Sequence, residues 1–90
     1  MNEEKKQKNL ISLKFSVNGK TVTIGTINVN QPLKASVQQA LNKTGSTRPI
    51  NEYEVLFENV KLNINQKVET FNFPEGAVIF VSLKTGQGGN

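Results

Sequence analysis

The chain has 90 residues, of which 36% are hydrophobic, and 11 basic against 7 acidic side chains give a formal net charge of +4; this length supports one small domain with a modest core. There is no cysteine and no histidine, which excludes a disulfide framework, a thiolate metal site, a catalytic thiol and self-thioester chemistry, and gives no ground to expect a zinc site or a histidine base. The positive charge is not a nucleic-acid footprint, because one arginine (Arg48) and scattered lysines form no basic stripe interleaved with aromatics.

Residues 1–9 carry no large apolar side chain after Met1 and are expected to be a disordered, solvated tail in which Lys5, Lys6 and Lys8 outnumber Glu3 and Glu4. The tail lacks the apolar segment of a signal peptide, and no stretch is long enough to span a bilayer. The expectation is a cytoplasmic protein that does not engage a membrane. From Leu10 the pattern changes. Ile11, Leu13, Phe15 and Val17 alternate with polar residues, as a half-buried strand requires. Asn18-Gly19 suits the positive φ of a tight hairpin turn. Val22 and Ile24 mark the returning strand, Gly25 interrupts it as a bulge would, and Ile27 and Val29 carry the apolar face onward.

Pro32 suits the first turn of a helix. Leu33, Val37, Ala40 and Leu41 then recur at i, i+4, i+7 and i+8, which places them on one helical face. Lys43 favours the C-terminal end of the helix dipole, and Gly45 supplies a left-handed stop. Residues 46–51 read as a loop. Tyr53, Val55 and Phe57 alternate in a third strand, Glu58-Asn59 forms a turn, and Val60 to Leu62 is a short fourth strand. Residues 63–73 are an irregular connection anchored by Ile64, Val68, Phe71 and Phe73. Phe73-Pro74-Glu75-Gly76 suits a β-turn. The last strand, Val78 to Leu83, is apolar on both faces, as a central strand would be. Set parallel to the first strand, it closes a mixed sheet of four or five strands on one helix, an α+β fold, and the link between the two is long enough for that crossover.

The order and spacing of these elements resemble those of the ubiquitin-like β-grasp family over about residues 10 to 89. The stretch Tyr53-Glu54-Val55-Leu56-Phe57-Glu58-Asn59-Val60-Lys61-Leu62 is similar to the third and fourth strands of ubiquitin. Val78-Ile79-Phe80-Val81-Ser82-Leu83-Lys84 is similar to its last strand, and Gly88-Gly89 sits where its terminal diglycine would. The polar tail without arginine points to a prokaryotic ubiquitin-like modifier. The division implied is a tail over 1–9, a β-grasp domain over 10–84 and a flexible diglycine tail over 85–90.

The resemblance implies a chain that is not itself an enzyme and holds no cofactor. Partners would act on it. An activating enzyme using ATP and Mg²⁺ would adenylate the Gly89 carboxylate, a cysteine of that enzyme would take the acyl group, and with a conjugating enzyme the group would reach lysine amines of target proteins. Gly88 is then the spacer, and the absence of side chains gives close access to the pair. Asn90 follows Gly89, so a processing metallopeptidase would first have to cut between them. The alternatives are a sulfur carrier, with a thiocarboxylate at Gly89, and a ubiquitin-like binding module that is never conjugated. In either modifier or module, Leu56 and Phe80 are the expected partner-binding patch. Strand alternation sets Leu56 opposite Val55 and Phe57, and Phe80 opposite Ile79 and Val81. Because the run from Ala77 to Val81 is apolar on both faces, a one-residue shift in register would instead put Phe80 in the core.

Overall fold

A computed structural model describes residues 9–84. β1 (Leu10–Val17) and β2 (Lys20–Asn28) pair antiparallel, with Val17 opposite Lys20. Asn18 (φ 50°) and Gly19 (φ 89°) both take positive φ in the turn between them, the conformation that lets a two-residue loop follow the twist of the strands. The expected interruption at Gly25 is a β-bulge. Ile11 pairs with Ile27 and Leu13 with Ile24, so β2 spends one residue more than β1 over this interval. The extra residue has a consequence for packing. Ile24 and Ile27 are three positions apart and would face opposite ways in a regular strand, yet both are buried because the bulge resets the alternation.

α1 (Leu33–Lys43) buries Leu33, Ser36, Val37, Ala40 and Leu41 against the sheet. No side chain caps its start. The Leu33 N–H donates to the Gln66 carbonyl (2.9 Å) and the Lys34 N–H to the Ile64 carbonyl (2.8 Å), so a distant loop satisfies donors that a helix leaves unpaired. At the other end Gly45 takes φ +73°, and the Ser46 N–H reaches back to the Leu41 carbonyl, the left-handed stop expected of that glycine.

After a short 3₁₀ turn (Ile50–Glu52), β3 (Tyr53–Phe57) meets β4 (Val60–Lys61) through a second turn of the same kind, in which Glu58 (φ 52°) and Asn59 (φ 68°) both take positive φ. β4 stops one residue earlier than its apolar pattern suggests, although the Leu62 N–H still donates to the Val55 carbonyl. A second 3₁₀ turn (Val68–Phe71) lies in the connection read as irregular. Of its expected anchors, Val68 and Phe73 are buried, while Ile64 and Phe71 are half-buried. Phe73 meets Phe57 edge-on (centroids 5.1 Å apart) and stacks on Phe71 (5.2 Å). The turn into the last strand falls one residue later than expected. The Ala77 N–H donates to the Pro74 carbonyl, and Gly76 (φ +79°) occupies the third position, where only a positive φ fits.

β5 (Val78–Leu83) lies between β1 and β3, parallel to the first and antiparallel to the second. The five strands run in the order β2-β1-β5-β3-β4, and α1 packs across one face. This is an α+β fold of the β-grasp type. The terminal tails expected at 1–9 and 85–90 lie, apart from Asn9, outside the described residues. The Asn9 carbonyl accepts the Val29 N–H. Among the described residues, no helix is long and apolar enough to cross a membrane.

Two local costs stand out in this frame. The Ser36 hydroxyl is fully buried without a hydrogen-bond partner. Ser36→Ala removes that orphan and improves helix propensity, so it is expected to raise stability by about 1 kcal/mol, seen as a higher urea midpoint with an unchanged slope. Glu58 holds a left-handed conformation that costs a residue with a side chain roughly 1 kcal/mol. Glu58→Gly is expected to recover most of that; a lower midpoint would show that the glutamate side chain contributes more than its backbone costs.

Candidate functional site

The β5 register decides which way Phe80 points. Phe80 pairs with Leu56 on β3 and with Ser16 on β1; Ser16 in turn pairs with Thr21, and Leu56 with Lys61. Thr21, Ser16, Phe80, Leu56 and Lys61 therefore form one row across all five strands, on the face turned away from α1. Phe80 is 50% exposed and Leu56 is half-buried, whereas Ile79 and Val81 on the other face are fully buried. The two residues read from the sequence as a patch are direct cross-strand neighbours. The alternative in which Phe80 belongs to the core does not hold.

Val78 extends the patch. It shares the face of Phe80, pairs with Lys14 and is 38% exposed. It was not among the expected site residues, although the alternation that singles out Phe80 applies equally to Val78. On the β3 side, Glu54 pairs with Ser82, and the Lys61 ammonium lies 3.9 Å from the Glu54 carboxylate. The lysine is exposed and the contact is long, so the pair contributes little to stability. It sets a charged rim beside an apolar centre, the layout of a protein-binding surface.

The same strand leads to the expected conjugation site. Leu83 pairs with Tyr53, and the Lys84 N–H donates to the Glu52 carbonyl at 2.9 Å, so β3 and the 3₁₀ turn before it hold the chain to the last described residue. The Glu52 carboxylate also accepts from Arg48 (2.9 Å). Arg48, Asn51, Glu52, Leu83 and Lys84 line an open cleft of about 440 Å³ at this end of the sheet. Gly88, Gly89 and Asn90 lie outside the described residues; the strand that leads to them is placed, and they are not. Among the described residues, no three acidic side chains stand close enough together to hold a metal ion.

Residues 6–89 match the model of a family described as Protein of Unknown function (DUF2604). The chain belongs to this family. No curated protein matches it. Among solved structures it is similar to a de novo designed protein based on ubiquitin, at 15% identity and a TM-score of 0.75, covering 93% of this chain and 100% of that one. It is also similar to a protein described by its molecular mimicry of SUMO that promotes DNA repair, at 16% identity and a TM-score of 0.74, covering 87% of this chain and 96% of that one. At such identities the likeness concerns the fold, and that fold is ubiquitin-like.

The exposure of Phe80 allows function and folding to be separated. Phe80→Ala is expected to cost less than about 1 kcal/mol, whereas Phe15→Ala, in the fully buried core, is expected to cost about 3–5 kcal/mol. Parallel urea titrations of the two variants check this. A large loss for Phe80→Ala would return it to the core and remove the patch.

Proposed function

We propose that this ubiquitin-like protein is a modifier attached to other proteins through Gly89. A peptidase, of the metallopeptidase type, removes Asn90. An activating enzyme then directs the Gly89 carboxylate onto the α-phosphorus of ATP, with Mg²⁺ on the phosphates, and pyrophosphate leaves. A cysteine thiolate of that enzyme displaces AMP to form a thioester. With a conjugating enzyme, a lysine amine of a target displaces the thiol and an isopeptide bond results. The chain contributes the acyl group and the recognition surface, and the catalytic groups belong to its partners.

The observation that carries this reading is the position of β5. The strand is held on both sides, its outward face presents Phe80 beside Leu56, and Gly89 follows Leu83 by six residues. A partner seated on the patch is thus within a short extended stretch of the diglycine, since each residue reaches about 3.4 Å. Glycine at 88 and 89 lets a narrow channel close around the backbone. The patch alone also fits a second reading, a ubiquitin-like module that binds through Leu56 and Phe80 and is never conjugated.

Intact mass of an N-terminally tagged copy in its native host, with mass analysis of slower-migrating adducts, separates these readings. Loss of Asn90 with Gly89 joined to lysine amines is the expected result, and Gly89→Val is expected to abolish the adducts while leaving the fold intact. A mass gain on mature Gly89 matching a thiocarboxylate would identify a sulfur carrier instead. A chain that keeps Asn90 and forms no adduct leaves the binding module.

A further inference from the structure

A second cleft, of about 420 Å³, opens at the opposite end of the sheet from Leu83, where the start of β1, the end of β2 and the 68–75 segment meet. β1 and β5 run parallel from Lys14–Val78 to Val17–Val81, so Leu10 and Ile11 precede that paired stretch and Leu83 follows it. Leu10, Ile11, Val29 and Phe73 give the cleft an apolar floor. Glu69 and Glu75 stand on its rim beside the Asn72 amide, and among the described residues no lysine or arginine lines it. In a chain of net charge +4, this local balance is the reverse of the whole.

The two carboxylates differ from the other glutamates nearer the tail. Glu52 and Glu54 are each engaged by a cation of the chain, Arg48 and Lys61. Glu69 and Glu75 have no ion-pair partner among the described residues. Glu75 accepts the Ser12 N–H through one oxygen (3.1 Å), which holds the carboxylate beside the β1 backbone and leaves the second oxygen for another donor.

We propose that this cleft seats an arginine or lysine side chain carried by an extended segment of a partner protein. Such a side chain joins an apolar stem to a cationic head. The stem lies along Leu10, Ile11 and Phe73, and the head meets the Glu69 and Glu75 carboxylates, with the Asn72 carbonyl oxygen as a further acceptor. Arginine is the better fit, because its planar guanidinium presents a fork of donors suited to carboxylates. An anionic or purely apolar segment would leave the two carboxylates facing like charge or unsolvated. The site does not depend on conjugation at Gly89. It lies at the other end of the sheet from Leu83 and Lys84.

Titration of the ¹⁵N-labelled full chain with a capped Gly-Leu-Arg-Leu-Gly peptide, and with its citrulline counterpart, tests the proposal. Citrulline keeps the shape and removes the charge. The arginine peptide is expected to shift the amides of Leu10, Ile11, Glu69 and Asn72 saturably. Two exposed ion pairs of ordinary strength predict roughly tenfold weaker binding of the citrulline peptide. The Glu69→Gln, Glu75→Gln double variant, whose side chains are exposed and keep their acceptor oxygens, is expected to lose about the same factor for the arginine peptide. Equal affinity of the two peptides, or shifts confined to Glu54 and Glu58, would overturn the proposal. So would roughly tenfold tighter peptide binding after deletion of residues 1–8, which would make this chain's own Lys5, Lys6 or Lys8 the occupant.

Discussion

The parallel pairing of β1 with β5 is the contact on which the rest of the structure depends. It joins the two ends of the fold: the Lys14 N–H donates to the Ala77 carbonyl and the Asn18 N–H to the Val81 carbonyl. Without it, the β1–β2 hairpin and the β3–β4 ribbon share no sheet, because β5 is the only strand between them. It also sets Phe15 beside Ile79 and Val17 beside Val81, and these four side chains form the buried floor under Leu33, Val37, Ala40 and Leu41 of α1. A parallel pair cannot be closed by a tight turn. The helix, β3, β4 and both 3₁₀ turns are all accommodated within the crossover between its partners. The loop-closure entropy of that crossover is offset only when the apolar floor is complete.

The same register determines what faces outward. In a strand buried on one face only, alternation assigns each side chain unambiguously. β5 is apolar from Val78 to Val81, so alternation alone leaves two assignments for Phe80. The decision comes from neighbours. Ile79 must sit with Phe15 beneath the helix because both are paired and fully buried, and Phe80 is then turned to solvent beside Leu56. The exposure of a phenylalanine in the central strand thus follows from long-range pairing, which no local window of sequence contains. Val78 belongs to the patch for the same reason.

Where the chain signals its conformation locally, the sequence is legible. Asn18-Gly19 marks a turn that needs positive φ, Glu58-Asn59 marks the turn after β3, Gly25 marks the bulge, and the spacing of Leu33, Val37, Ala40 and Leu41 marks the helix face. Where a distant segment supplies the partner, it is not. The start of α1 has no capping side chain to betray it, because the carbonyls of Ile64 and Gln66 serve instead. The turn before β5 shifts because Gly76, rather than Pro74, governs its position. The cleft rimmed by Glu69 and Glu75 is assembled from segments separated by most of the chain, and neither glutamate stands out in the sequence. Gly88-Gly89 is the reverse case, a motif plain in the sequence that lies beyond the described residues.

The position of the patch on β5 has a mechanical meaning. Strands at the edge of a sheet can shift or fray, whereas a strand paired on both sides holds its side chains in fixed places. Phe80 is bonded into the sheet through its neighbours on β1 and β3, and Leu56 is fixed against it by direct pairing. A partner that recognises both therefore meets a surface with little ordering left to do, and binding to a preorganised surface loses less affinity to conformational entropy. β5 connects that surface to Lys84 through backbone hydrogen bonds, the last of them to Glu52. A partner docked on Phe80 and Leu56, as proposed, would thereby stand at a fixed distance from Lys84. On the proposed modifier reading, a C-terminus presented to an activating enzyme needs a fixed origin as well as slender residues at its end, and β5 supplies that origin as far as Lys84.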